Sequence, residues 1–200
     1  MWKPGFTLKT TNWKRLNHDL HSVLGFYSFI FLAVMALTGL CWSFEWYRDG
    51  MSNLMGAKVF GGRNEQFPGS AIPAEGLNSL PVSNYIDLAN AELPYTGNIR
   101  VALPADSAAS AVVYKTKVGF FAGSAADKVV IDQYSGHIIK LDRFRDKPVN
   151  ARIVASIRSL HTGDVYGSFS KILYFIACLI ATSLPITGTL IWVNKRRKLS

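Results

Sequence analysis

Four histidines are the residues of this sequence with the clearest capacity for ligand chemistry. His18 and His21 lie three positions apart before a long apolar run, so a helix would place both on one side. His21 is nearer to the run and is the better ligand candidate. His161 precedes Thr162 and Gly163, whose small side chains could let a flat group or another helix approach. This pattern suits either ligands or polar flanks at a membrane surface.

The other candidate residues have simpler interpretations. His137 lies in the turn "YSGH", where an exposed residue is the ordinary outcome. Cys41 and Cys178 lie in different apolar runs, at different depths if the two helices are antiparallel, which favours two free thiols over a disulfide. The sequence contains no Cys-X-X-Cys or zinc-ligand spacing.

Two uncharged runs can cross a membrane. They are "VLGFYSFIFLAVMALTGLCWSF" and "ILYFIACLIATSLPITGTLIWV". Each has about 22 residues, and at 1.5 Å per residue this length spans a hydrocarbon core of roughly 30 Å. The sequence predicts transmembrane helices over 23–44 and 169–193. The first is followed by the bulky "EWYRDG" in place of a small-residue cleavage site, which favours an uncleaved signal-anchor.

The formal charge of +9 is concentrated beside these runs. Basic residues next to spans stay on the cytoplasmic side, so we expect basic cytoplasmic ends over 1–22 and 194–200 and an exported middle. The middle segment is close to neutral, which argues against nucleic-acid binding and for contact with membrane lipid. The basic flanks consist of Lys3, Lys9, Lys14, Arg15, Lys195, Arg196, Arg197 and Lys198.

The segment between the spans predicts a small domain. Residues 45–80 are rich in Gly, Asn, Pro and Ser and are expected to form an extended connector. "SNYIDLANAEL" predicts a short helix with Ser83 as its N-cap, which Pro94 ends. "NIRVALP", "SAVVYKTK" and "KVVIDQYSGHIIKLDRF" predict antiparallel strands, the last forming a hairpin. We therefore expect an α+β domain over 81–148.

Residues 149–168 predict one amphipathic helix and a turn at the outer membrane surface, ending at His161 and Gly163. Apolar side chains recur at helical spacing, with arginines on the other side. The apolar set is Ile153, Val154, Ile157 and Leu160, and the arginines are Arg152 and Arg158. The whole fold class is thus a membrane α-helical protein with two transmembrane helices and an inserted small α+β domain.

Both ends of the chain resemble a known family. "LNHDLHSVLGFYSFIFLAVMALTGLCWSFEWY" has the Leu-His-X-X-Leu-Gly opening and Leu-Thr-Gly ending of the PepSY-associated transmembrane family. "LHTGDVYGSFSKILYFIACLIATSLPITGTLIWVNKRRK" is similar to the family's closing helix, with its His-X-Gly opening, Thr-Gly pair and basic tail. The helix and sheet with the hairpin "IDQYSGHIIKL" resemble a PepSY domain.

The resemblance implies a redox role. The family includes bacterial inner-membrane reductases of ferric siderophores, which bind haem in a helical bundle and pass electrons to iron outside. Carried over by motif, His21 and His161 are the expected axial ligands of haem b iron, with His18 as a third candidate. The sequence has no flavin or nicotinamide motif, so the electrons would come from a partner or from the quinone pool.

The number of membrane spans determines how the chain could hold haem and which other functions remain. Larger members of the family have at least four spans, whereas this sequence has two. His21 belongs at the inner face and His161 at the outer face, so one chain cannot hold one haem with both. A parallel homodimer would pair each histidine with its copy, and a partner chain with further helices is the other possibility. A non-enzymatic membrane-anchored module that binds another envelope protein, or an incomplete half of a larger reductase, remain alternatives.

Overall fold

Two long helices form the membrane part of the protein. The computed structural model, which describes residues 12–61, 65–71 and 78–197, contains α1 (Trp13–Ser43) and α6 (Gly167–Arg196). Both are long and apolar enough to cross a bilayer. At 1.5 Å per residue each extends for about 45 Å, which exceeds a hydrocarbon core of roughly 30 Å. The predicted fold class is confirmed, since these helices flank a small α+β domain.

Both helices are longer than the sequence predicts. Helix α1 begins at Trp13 and not at the start of the predicted span 23–44, because the Asn12 side chain caps it by accepting a backbone hydrogen bond of 3.1 Å. Residues 1–11 of the predicted basic N-terminus lie outside the described residues. Helix α6 also extends beyond the predicted 169–193 at both ends.

A short helix follows α1 where the sequence predicts an extended connector over 45–80. Helix α2 (Glu45–Met55) corrects this prediction for the first part of the connector, and the stretches 62–64 and 72–77 lie outside the described residues. Three apolar side chains at four-residue spacing give α2 a packed face despite its polar composition. They are Tyr47, Met51 and Met55.

The inserted domain is one helix on a four-stranded antiparallel sheet. The strands follow each other in space as they do in the chain, so each neighbouring pair is a hairpin or a short connection. Helix α3 (Val82–Glu92) covers one face of the sheet. The strands are β1 (Gly97–Ala102), β2 (Ala111–Lys117), β3 (Ala126–Ile131) and β4 (Ile138–Asp142).

The core of this domain lies between α3 and the sheet. Tyr85 and Ala89 of α3 are buried against Val113 and Val129 of the central strands. The N-cap prediction was wrong: Pro81 occupies that position, and the Ser83 hydroxyl donates to the neighbouring Asn84 side chain instead of capping the backbone. The proline already supplies the extended backbone with which a helix starts.

The predicted amphipathic helix over 149–168 is two short helices. Helices α4 (Val149–Ala155) and α5 (Ile157–Thr162) are separated at Ser156, where the chain changes direction. Val154 and Ile157 are buried, whereas Ile153 of the predicted apolar face is exposed. The two buried side chains are three positions apart and pack in the same cluster.

That cluster joins the membrane helices to the domain. Cys41 near the end of α1 packs with Val59, Val154 and Ile157. We call this end of the helix pair, near Ser43 and Gly167, the domain end, and the opposite end the terminal end. The apolar contacts fix α5 against α1 and therefore position the side chain of His161.

Asp132 organises the β3–β4 hairpin. One of its carboxylate oxygens accepts hydrogen bonds from the backbone N–H groups of Tyr134 and Ser135, at 3.0 and 2.9 Å. The other accepts from Ala71 at 2.8 Å and so ties the connector to the turn. Burial raises the pKa of this carboxyl, but the hydrogen bonds outweigh it and the pKa is lowered from 3.8.

We expect Asp132→Asn to lower the free energy of unfolding of the domain by about 1.5–3 kcal/mol at pH 7. The single oxygen of an asparagine side chain can accept the hydrogen bonds from Tyr134 and Ser135. Its NH2 group then faces the Ala71 N–H, so the hydrogen bond from Ala71 is lost. Asp106 is the control, because this exposed carboxylate accepts two hydrogen bonds through a single oxygen, which asparagine can reproduce. Amide hydrogen exchange in β2 and β3 measures both variants, and equal losses would contradict the prediction.

The lowered pKa of the Asp132 carboxyl makes the stability of the domain depend on pH. A lowered pKa in the folded state means that the ionised group stabilises the domain fully above its unfolded pKa near 3.8. This contribution is lost as the pH falls through the folded pKa. The difference in stability between wild type and Asp132→Asn should therefore be largest at neutral pH and shrink below about pH 4.

Candidate functional site

His21 lies in the interface between the two long helices. Its Nδ1 is 2.7 Å from the hydroxyl oxygen of Thr187 on α6. The ring also lies against Gly188, and its Cε1 is 3.3 Å from the point where a β-carbon on that glycine would lie. An alanine at position 188 would thus crowd the imidazole.

His161 makes the same kind of contact at the other end of the pair. Its Nδ1 is 2.8 Å from the Met35 carbonyl oxygen and 3.4 Å from the Thr38 hydroxyl, both on α1. Its Cε1 is 3.0 Å from the β-carbon position of Gly39. Each histidine therefore lies against a Thr-Gly pair of another helix. His21 of α1 contacts Thr187–Gly188 of α6, and His161 of α5 contacts Thr38–Gly39 of α1.

The contact of His161 assigns a proton to its Nδ1, and the contact of His21 is compatible with the same assignment. The Met35 carbonyl can only accept, so Nδ1 of His161 must carry the hydrogen. The Thr187 hydroxyl lies 3.1 Å from the Leu184 carbonyl, to which it donates, and it can therefore accept from Nδ1 of His21. In the neutral imidazole, the proton on Nδ1 leaves a lone pair on Nε2. In that form an imidazole can ligate a metal through Nε2.

The two histidines lie at opposite ends of the helix pair. His21 is near the start of α1, and His161 lies against Gly39 of the same helix. The separation along α1 is about 27 Å at 1.5 Å per residue. One metal ion cannot bind both rings, because each metal–nitrogen bond is only about 2 Å long.

The other two histidines lie apart from these contacts. His18 is exposed, and its Nδ1 is 3.7 Å from a carboxylate oxygen of Asp19. His137 is exposed in the hairpin turn. Within the described ranges, no group of three or more His, Cys, Asp or Glu side chains could hold a metal ion. His18 and His21 share a helix but make no common site in this chain.

Aromatic rings connect His161 with the surface of the domain. The Trp42 ring centroid is 5.2 Å from that of His161 and 4.5 Å from that of Phe60. Trp42 and Phe60 also line a cleft of about 860 Å³ between the domain end of α1, helices α4 and α5, and strand β3. This volume is within the range of small-molecule sites.

The cleft has an excess of positive charge. Lys128 binds Glu65, and Lys147 lies 3.0 Å from Asp142. No described acidic side chain pairs with Lys58 or Arg158, both of which line the cleft. An anionic or oxygen-rich molecule therefore fits the cleft better than a cation does.

The Thr-Gly pairs are the part of the site that the sequence analysis did not assign. They were visible only as letters of a family motif, although Thr38–Gly39 follows His21 along the chain and Thr187–Gly188 follows His161. That repeat was a usable signal. The crossed pairing, in which each His contacts the pair that follows the other His, requires the packed structure.

We expect Gly39→Ala to destabilise the helix pair relative to Gly25→Ala by about 1–3 kcal/mol. A β-carbon at position 39 would meet the His161 ring, whereas one at position 25 would lie 3.6 Å from a flexible Leu184 methyl group. The two variants gain the same helix propensity, so their difference isolates the contact. Denaturation in detergent micelles measures it, and equal stability would show that the ring moves freely.

Comparison with known proteins places these features in a family. No curated protein matches the chain. The model of the PepSY-associated TM region matches residues 1–195, which includes both long helices, the inserted domain and both Thr-Gly pairs. This match covers nearly the whole chain, and we conclude that the protein belongs to the PepSY-associated transmembrane family.

Proposed function

We propose that the protein is a haem-bearing redox subunit of a bacterial inner membrane, which passes electrons across the bilayer to a ferric siderophore or similar iron chelate. The observation that carries the proposal is the state of the two histidines. At both ends of the helix pair, packing engages Nδ1, and none of the described residues forms a hydrogen bond with Nε2. Two ligand positions on opposite sides of a membrane are what transmembrane electron transfer requires.

The residues present fit one axial ligand at each end. Metal-bound histidines generally donate their second ring N–H to a carbonyl or another acceptor, and Met35 and Thr187 are such acceptors. When bound, haem would supply one-electron iron chemistry. His21 would hold it at the terminal end and His161 at the domain end, whereas His18 is exposed beside Asp19.

In this proposal, a residue outside the described helix pair supplies the second ligand at each end. A parallel homodimer with a two-fold axis along the membrane normal would bring equivalent histidines together at each end. A partner chain with further helices would serve the same purpose. Most of the surface of α1 and α6 is exposed, so both helices have faces for such an association.

The chain's own residues support transfer toward the domain end. Trp42 and Phe60 extend the contact from His161 to the cleft, and Lys58 and Arg158 give the cleft a positive potential. An anionic iron chelate in the cleft would lie next to these aromatic rings. Packing of the His161 ring of α5 against α1 would limit its exposure to water.

A second function follows from the same contacts. Each histidine ring fills the space above a glycine and contacts a neighbouring helix through Nδ1. A purely structural role, in which the rings hold the helices together, would account for these contacts. The protein would then be a non-enzymatic anchor that presents its α+β domain to another envelope protein.

Absorption spectra of the protein in lipid nanodiscs, with haemin added and before and after dithionite, test the proposal. We expect reduced α and β bands typical of low-spin b haem. His21→Ala and His161→Ala should each remove about half of the bound haem, because each eliminates one of two sites. His18→Ala is the matched control and should retain all of it.

A further variant separates ligation from packing. His161→Asn places an amide N–H near the position of Nδ1, so it can still donate to Met35, but it has no counterpart of the Nε2 lone pair. The redox proposal expects this variant to keep its stability and lose the haem of the domain end. A wild-type protein that stays colourless with added haemin would overturn the proposal in favour of the anchor.

A further inference from the structure

The β2–β3 loop carries an exposed aromatic cluster next to the start of α6. Phe120 and Phe121 lie at the tip of this loop and are 52% and 65% exposed. The Phe121 ring centroid is 5.2 Å from that of Phe169, in the first turn of α6, and Phe120 is 4.9 Å from Phe121. Three large apolar rings thus form one surface that no described part of the chain covers.

The loop is fixed to the helix by its backbone. The Phe169 N–H donates to the Phe120 carbonyl oxygen at 3.1 Å. Gly167 has a φ of 58°, and a β-carbon there would lie 2.7–3.0 Å from the carbonyl oxygens of Gly119, Phe120 and Ala122. Only glycine permits this close approach. The position of the aromatic cluster is therefore set by the position of α6 in the membrane.

Contacts between the long helices set the depth of the cluster. Gly25 lies against Leu184, and the Phe31 ring is 5.4 Å from that of Tyr174. Continuing this antiparallel pairing places Phe169 at the level of segment 36–40 of α1. That segment lies inside the uncharged run that ends at Phe44. The cluster is therefore at the height of the membrane boundary and not above it.

The surface of α6 continues from the cluster into the membrane. Ile172 and Ile176 lie on the same side of the helix as Phe169, and both are exposed. Lys171 is the one charged side chain in this part of the helix, and its ammonium group lies 3.1 Å from Asp164, before the start of α6. This long side chain brings its charge back toward the membrane surface.

We infer that residues 118–122 form a lipid-inserting loop, in which Phe120 and Phe121 enter the boundary between headgroups and acyl chains and hold the α+β domain against the bilayer. The proposed partner is the phospholipid bilayer. We choose the bilayer over a protein because the cluster continues an exposed apolar face of a helix that is long enough to span the membrane. Aromatic side chains are favoured at this depth.

The opposite end of the sheet offers a matched control. Leu103 follows the last residue of β1 and is 60% exposed. Because β1 and β2 are antiparallel, Leu103 and the β2–β3 loop lie at opposite ends of the strands, about 20 Å apart at 3.3 Å per residue. It has similar exposure and apolar character but lies away from the membrane.

Photo-crosslinking of the full chain in phospholipid nanodiscs tests the inference. A benzophenone amino acid replaces Phe121 in one protein and Leu103 in the other, and mass spectrometry identifies the adducts. We expect phospholipid adducts from position 121 at several times the yield from position 103. A crosslink from 121 to a second copy of the chain, or equal lipid yields at both positions, would overturn the inference.

A second measurement does not depend on the benzophenone. A nitroxide label at position 121 or 103, in a Cys41→Ala and Cys178→Ala background, reports accessibility to oxygen and to a water-soluble nickel chelate. The label at position 121 should be more accessible to oxygen, which dissolves in lipid. The label at position 103 should be more accessible to the nickel chelate. Preference for the nickel chelate at 121 would overturn the inference. Neither measurement requires haem, so both are independent of the redox proposal.

Discussion

The structure depends on hydrogen bonds that satisfy the N–H groups of histidine rings within the membrane part of the protein. Water is scarce there, so an imidazole N–H must find an acceptor within the protein. Each of the two long helices provides one, next to a glycine that leaves room for the ring. The hydrogen bonds are directional and the glycines are single positions. The His21 contact fixes how far α6 is shifted along α1, and the His161 contact fixes the position of α5 along α1. Apolar contacts between smooth helix faces would fix neither.

The same contacts determine where the domain lies. His161 is part of α5, so its attachment to α1 also fixes α4 and α5, and the apolar cluster around Cys41 completes that joint. The β2–β3 loop adds a second attachment at Gly167, on the other long helix. The α+β domain is thereby held to both membrane helices through different segments. A cleft forms between them, and Trp42 lies where the cleft meets the histidine.

Sequence patterns predicted the elements whose signal is local. The spans follow from long uncharged runs, and the β3–β4 hairpin follows from its alternation and turn. Helix α2 was missed because its polar residues and Gly50 obscure three well-spaced apolar side chains. The break at Ser156 was missed because both halves keep helical periodicity. The histidines were identified as candidates, but their partners are more than a hundred positions away, and only tertiary packing brings them together.

Within the described part of the chain, packing engages one nitrogen of each histidine, and no hydrogen bond reaches the other. A side chain needed only to join two helices could be an asparagine or a glutamine, because a single N–H suffices for the bond that is present. Imidazole has a second nitrogen on the far side of the ring, and this nitrogen carries a lone pair in the neutral form that donates from Nδ1. The contact that positions each ring is therefore compatible with metal binding at the other nitrogen. A haem protein and an anchor thus share one architecture, and they differ in whether Nε2 has a partner.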